Sequence, residues 1–250
     1  LGFPLVQGGD LTVRDGCVWL KSIEGLKQVD ILLRRVEDRN CDPLELRGDG
    51  PGGVAGLLDS VRQGNVVVAN PLGSSALENP GLLAFLPRIA RHVFGQDLEL
   101  PSAGTWWCGH DSERAYVLEH MDDLVIKSTQ RSAIHPSVLG ANLSRDEMAA
   151  LRQRIEAAPH LYVGQERVAF STTPTLVEDH LEPRHAILRT FLVAKEGGYT
   201  VMPGGLTRVA PDRDSFVVAT QAGGISKDTW VLADEPDHPI SLWLRPRDDL

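Results

Sequence analysis

Apolar and polar positions change their period several times along the chain, and each change marks an expected element. In LTVRDGCVWL, residues 11–20, alternation runs into Asp15-Gly16 and out again, which predicts two antiparallel strands around a tight turn of positive φ. VDILLRR (29–35) is a β-branched apolar run that ends abruptly in charge. It predicts a buried strand whose carboxyl end carries Arg34, Arg35, Glu37 and Asp38, where sites lie in α/β proteins. GGVAGLLDSVRQG (52–64) has helical apolar spacing and closes on Gly64 as a cap. NVVVAN then predicts a short apolar strand ending at Asn70. ENPGLLAFLPRIARHVFG (78–95) predicts a helix with Pro80 in its first turn, a kink at Pro87 and an end at Gly95.

SERAYVLEHM (112–121) predicts a helix running into the strand DDLVIKS, which places Lys127 after Leu124, Val125 and Ile126. In SRDEMAALRQRIEAAP (144–159), Ser144 precedes Glu147 by three residues, a capping-box pattern, and Pro159 marks the helix end. Strands are expected over 161–170, 184–195, 199–203 and 215–221, with Glu196-Gly197-Gly198 as a hairpin turn. An α/β first half followed by a strand-rich last third defines a mixed α/β (α+β) class. Within that last third, Pro203-Gly204-Gly205 is either a plain corner or a place where the backbone makes room for a ligand that Arg208 contacts.

Composition narrows the picture. The 250 residues allow one or two domains. A net charge of -9 gives no basic footprint for nucleic acid or an anionic membrane. No run approaches the ~20 apolar residues of a membrane span, and the start shows no secretory leader, so a cytoplasmic location is expected. The chain opens on Leu1 with a strand in progress and reads as a fragment of a longer protein. Cys17, Cys41 and Cys108 are odd in number and form no CxxC pair, so they read as packing or surface thiols. Phosphate-loop, nucleophile-elbow, zinc-helix and dinucleotide motifs are missing from the sequence. What remains is a series of charges embedded in apolar strands: Lys127, Glu166, Arg189 and Lys227. Singly, each fits a solvated strand face. In order, they suit a nucleotide held between two sheets.

At this point a family resemblance emerges. RRVEDRNCDPLELR, GNVVVANPLGSSALENP, LVIKS, YVGQERVAFSTTP, LEPRHAILRTFL, GYTVMPGGLTRVA and GGISKDTWVL resemble the circularly permuted ATP-grasp family related to glutathionylspermidine synthase. The resemblance implies an ATP-grasp fold, circularly permuted, with the nucleotide site between two sheet-containing subdomains. Residues 1–110 would carry metal ligands and residues 111–250 the nucleotide-binding part. The implied activity is an ATP- and Mg²⁺-dependent carboxylate-amine ligase working through an acyl phosphate, with small-molecule or peptide substrates and a helical domain or partner protein besides.

The resemblance also implies roles. Lys127, Gln165, Glu166, Val168 and Lys227 would bind the nucleotide; Arg189, Arg208 and Arg35 would act in catalysis; Glu37, Asp38, Asn70 and Glu78 would hold Mg²⁺. Fixed, forked guanidinium charges suit phosphoryl groups, and Mg²⁺ takes a few hard oxygens plus phosphate. The chain departs from the family pattern in three places: Ser128 follows Lys127 where proline is usual, the loop 129–143 is poorer in glycine, and Arg39 follows Glu37-Asp38 in the acidic cluster. These departures favour an alternative, a non-catalytic ATP-grasp-like subunit that binds nucleotide or a partner.

Overall fold

The computed structural model describes residues 3–48, 52–130, 137–213, 215, 217–218 and 223–232. They form two compact units, Leu1–Arg167 and Val168–Leu250. The loop residues 131–136 and most of the strand expected over 215–221 lie outside the described residues.

The first unit opens with β1 (Leu11–Arg14) and β2 (Cys17–Ser22), joined by Asp15 and Gly16 at φ 52 and 73 as the alternation predicts. β3 (Gly25–Gln28) completes this antiparallel sheet. β4 (Ile31–Leu33) pairs in parallel with β5 (Val67–Ala69), Leu32 opposite Val68. Parallel strands need a crossover connection, and α1 (Leu57–Arg62) lies within it, followed by Gly64 at φ 76. Leu11, Val18, Cys41, Val54, Leu57 and Val66 bury one core. α2 (Leu82–Phe94) starts later than expected, after a 3-10 turn over Ser74–Glu78, continues through Pro87 and is capped by Gly95 in the left-handed region.

The remainder of this unit is built from β6 (Thr105–Trp107), α3 (Asp111–Glu119), β7 (Leu124–Ser128), β8 (Val138–Leu139), α4 (Arg145–Ala157) and β9 (Tyr162–Glu166). Ser144 and Glu147 close the predicted capping box on α4: the Glu147 amide donates to Ser144 Oγ (3.3 Å), and the Ser144 amide to the Glu147 carboxylate (2.9 Å). The strands form an antiparallel sheet in the order β6-β9-β7-β8. Because side chains alternate across a strand, Leu124 and Ile126 of β7 enter a core with Val117, Met121, Leu151, Ile155 and Tyr162, while Val125 and Lys127 take the opposite face.

Pairing of β6 with β9 sets Trp106 opposite Gly164, so the chain on both sides of residue 110 belongs to one sheet. The two compact units meet in sequence at Arg167.

The second unit contains β10 (Thr172–Val177), β11 (His180–Arg189), β12 (Leu192–Lys195), β13 (Gly198–Val201), β14 (Gly205–Val209) and β15 (Ile225–Thr229). β10-β11-β14-β15 form an antiparallel sheet, and β12-β13 a separate hairpin turned at Gly197, φ 76. The strand expected over 184–195 thus divides after Arg189, because its partner β14 begins only at Gly205. A side chain on Gly205 would come within 2.8 Å of the Arg189 carbonyl oxygen and 2.9 Å of Leu188 Cδ1. The corner glycine therefore serves strand pairing within this sheet.

Gly164 plays the same part in the first unit, where a β-carbon would stand 2.7 Å from Val117 Cγ2 and 3.0 Å from Leu124 Cδ1. Overpacking of this kind destabilises by about 1–3 kcal/mol. Gly164→Ala is expected to lower the urea midpoint accordingly, and an unchanged midpoint would show that α3 yields without cost.

Candidate functional site

A cleft of about 850 Å³ opens at the carboxyl ends of β4 and β5. Five residues singled out in the sequence line it: Arg35, Glu37, Asp38, Asn70 and Glu78. It is organised by a sixth, Arg34, which sequence reasoning did not separate from its neighbour. The Arg34 guanidinium donates to the Asn70 carbonyl (2.8 Å), the Pro71 carbonyl (3.2 Å), Ser74 Oγ (2.9 Å) and the Val36 carbonyl, and lies 2.6 Å from Asp38 Oδ1. Its side chain and that of Asp38 are only 10% and 14% exposed. Arg34 thereby ties the end of β4 to the turn after β5. Asn70 adopts φ 60, a conformation asparagine tolerates better than most residues.

Asp38 faces the same turn. Its Oδ2 accepts from the amides of Gly73 (2.9 Å) and Ser75 (3.0 Å) and from Ser75 Oγ (2.6 Å). Burial works to raise the Asp38 pKa, but the Ser75 hydroxyl and amide, Arg34 and the Gly73 amide more than offset it and hold the carboxyl below its ordinary value. Oδ2 is thus fully engaged by protein donors, whereas buried Oδ1 has the ion contact to Arg34 and no hydrogen bond. Glu37 pairs with Arg39 at 2.9 Å. Among the described residues, no group of three His, Cys, Asp or Glu side chains could hold a metal ion. The acidic residues expected to bind Mg²⁺ do gather in one cleft, but among the described residues they do not by themselves form an all-protein metal cage. Asp38 is a clasp for the 73–75 turn.

Thr129 and Gln130, which follow β7, reach the same cleft. On β7, half-buried Lys127 donates from Nζ to Gln165 Oε1 at 2.5 Å. Desolvation lowers its pKa from the ordinary lysine value, and among the described residues no carboxylate forms a salt bridge with it. A desolvated cation tethered only by a neutral amide is a fit for an anionic ligand group such as phosphate. Gln165 is therefore engaged with Lys127. Glu166 turns elsewhere: its Oε1 accepts from the Gly104 amide (2.7 Å) while its own amide donates to the Gly104 carbonyl (2.8 Å). Val168, 42% exposed, lies just after β9.

In the second unit, register decides which cations share a face. Ile187 stands opposite Arg208, and Arg189 opposite Leu206, so Arg189 and Arg208 are on one face of the sheet. Lys227 stands opposite Thr207 and is on the other face, where its Nζ donates to Thr173 Oγ1 (3.3 Å) and the Pro174 carbonyl (2.5 Å). Lys227 is therefore separated from the two arginines by the thickness of its own sheet. Thiol chemistry has no foothold in the buried cysteines: burial raises the Cys41 pKa and pushes the Cys108 thiol up to about 11.

The chain is a mixed α/β protein with cations set on strands and a cleft at strand ends. The chain belongs to the circularly permuted ATP-grasp type 2 family, whose profile matches residues 1–210. It is 43% identical over 239 residues to the uncharacterized protein Rv2567 of Mycobacterium tuberculosis, covering 95% of this chain and 26% of that protein. The uncharacterized protein Rv2411c of the same organism is 39% identical, with 93% and 42% covered. The uncharacterized protein sll0335 of Synechocystis is 37% identical, with 93% and 48% covered. The chain thus spans a quarter to a half of the length of these relatives. Membership of the family points to ATP-dependent ligase chemistry, for which ATP and Mg²⁺ are the usual cofactors.

Asp38→Asn keeps the shape of the clasp and removes its charge. A carboxyl whose folded pKa lies below its unfolded value contributes stability above the unfolded value and loses it as pH falls through the folded one. The variant is expected to be less stable than wild type by about 1–3 kcal/mol at pH 7, with the difference shrinking toward pH 3. Urea midpoints at the two pH values measure this, and equal midpoints at pH 7 would remove the clasp.

Proposed function

We propose that this chain is the nucleotide-binding part of an ATP-dependent carboxylate-amine ligase that forms a peptide or amide bond. The observation that carries the reading is Lys127, a half-buried cation on a strand within the family match, held by a neutral amide. A carboxylate is a poor electrophile with a poor leaving group, so it must be activated before an amine can attack. In the proposed reaction a carboxylate oxygen attacks the γ-phosphorus of ATP, the bond to the bridging oxygen breaks and ADP leaves. The amine nitrogen then attacks the acyl carbon, loses a proton, and expels phosphate.

The protein's contribution to such a transfer is position and charge. Lys127 neutralises an inner phosphate. Arg189 and Arg208 present two fixed charges from one sheet face, suited to outer phosphates or the acyl phosphate. Arg35 and the neighbouring polar cleft residues are assigned to the carboxylate substrate. Mg²⁺ enters as the counter-ion of the nucleotide, consistent with its preference for phosphate oxygens and water over an all-protein cage.

A second reading has its own support. The pairing of Asp38 with Arg34 and of Glu37 with Arg39 leaves the cleft poor in free acids, which favours a nucleotide- or partner-binding subunit without turnover.

ATP at a hundred times its dissociation constant stabilises a binding protein by about 2.7 kcal/mol. The wild-type melting temperature is expected to rise by several degrees with ATP and Mg²⁺, and Lys127→Ala to remove most of that rise. Phosphate release that requires both a carboxylate and an amine supports the ligase. A thermal shift without release under any pairing supports a nucleotide-binding subunit, and no shift at all overturns the ligase and the nucleotide-binding subunit alike.

A further inference from the structure

Lys127 is held by a directional chain of hydrogen bonds that begins at a residue without any evident chemistry. Its ammonium carries only donors, so Gln165 must turn Oε1 toward it (2.5 Å). The Gln165 amide nitrogen then faces Thr105 Oγ1 at 3.0 Å and needs an acceptor there. Thr105 can be that acceptor because its single hydroxyl proton goes to the Ala103 carbonyl, also at 3.0 Å. The direction of each link from Lys127 through Gln165 and Thr105 to Ala103 is thus assigned, and no link can be reversed. Gln165 is 9% exposed, and the chain crosses three strands through the pairing of β7 and β6 with β9.

We infer that Thr105 is a positioning residue for nucleotide binding, acting through Gln165 to aim the Lys127 ammonium without neutralising it. The inference rests on the proposed role of Lys127. Its physical content lies in the choice of a neutral tether. A carboxylate at position 165 would hold Lys127 as firmly, but would cancel the charge that a phosphate requires. An amide holds the nitrogen and leaves its charge whole. An untethered lysine in the same place would keep its charge and lose its direction, since a four-carbon side chain has many rotamers. Without the Thr105 hydroxyl, the Gln165 NH₂ loses its acceptor, and the amide is held in place by the ammonium alone.

The experiment uses the full chain with two independent readouts. The first needs no nucleotide: ¹⁵N NMR of the lysine side-chain ammonium groups, with Lys127 assigned by Lys127→Arg. The second is the dissociation constant for ATP with Mg²⁺ by calorimetry, with no carboxylate or amine present. Thr105→Val is expected to broaden or lose the slow-exchanging Lys127 signal and to weaken ATP binding about tenfold, while Thr105→Ser restores both. Gln165→Glu is expected to keep the ammonium signal and still weaken ATP binding. The melting temperature without nucleotide identifies any variant that has simply unfolded.

If wild type shows the tethered ammonium but does not bind ATP, the nucleotide role of Lys127 falls, and with it the functional part of the inference. If Thr105→Val leaves both readouts as in wild type, or if Thr105→Ser fails to restore them in a folded protein, Thr105 has no positioning role.

Discussion

The parallel pair β4-β5 is only three residues long on each side, too short to hold itself by its own hydrogen bonds. Arg34 makes it a stable platform. One guanidinium collects the carbonyls of Val36, Asn70 and Pro71, the Ser74 hydroxyl and the Asp38 carboxylate. Two chain segments that leave neighbouring strands in loop conformations are thereby fixed relative to each other, and the cleft between them inherits its shape. The planar, always-charged fork of arginine is needed for so many acceptors in so small a space. Arg35, one residue on, is exposed and lines the same cleft. Adjacent residues of one type thus divide into a structural and an available cation.

The four-stranded sheet of the first unit solves a different problem. Its helix-facing side is a conventional apolar core of Leu124, Ile126, Tyr162 and the facing residues of α3 and α4. Its other face carries a lysine that burial penalises. The sheet tolerates that cost by supplying a neutral acceptor and a fixed polar chain behind it. Core and polar face come from the same strands through period-two alternation, so a slip in register would lose both together.

Much of this architecture is legible in the sequence where signals are local. Asp15-Gly16 specifies its hairpin, Ser144 with Glu147 specifies the start of α4, and LVIKS specifies a strand with Lys127 on the face opposite Leu124 and Ile126. Nonlocal pairing is not legible in the same way. Nothing near Trp106 announces that it will lie beside Gly164 and bring residues on both sides of position 110 into one sheet. The site is legible by residue type and less so by partner. The cluster from Arg35 to Glu78 does converge, but the commitment of Asp38 to the Gly73 and Ser75 amides depends on a turn whose sequence, PLGSS, offers only small polar residues as a clue. Lys227 and Arg208 look equivalent along the chain, yet pairing of Thr207 with Lys227 sends them to opposite faces.

The seat that holds Asp38 has the composition of an anion-binding nest: two amides, a hydroxyl and a guanidinium converging on one carboxylate. A carboxylate delivered by the chain itself competes with dissolved anions at an effective concentration on the order of millimolar or above. Small free anions, at comparable or lower concentration, find the seat already taken. The protein carries its own resident competitor for that seat, while Arg35 and Arg39 line the cleft outside the clasp.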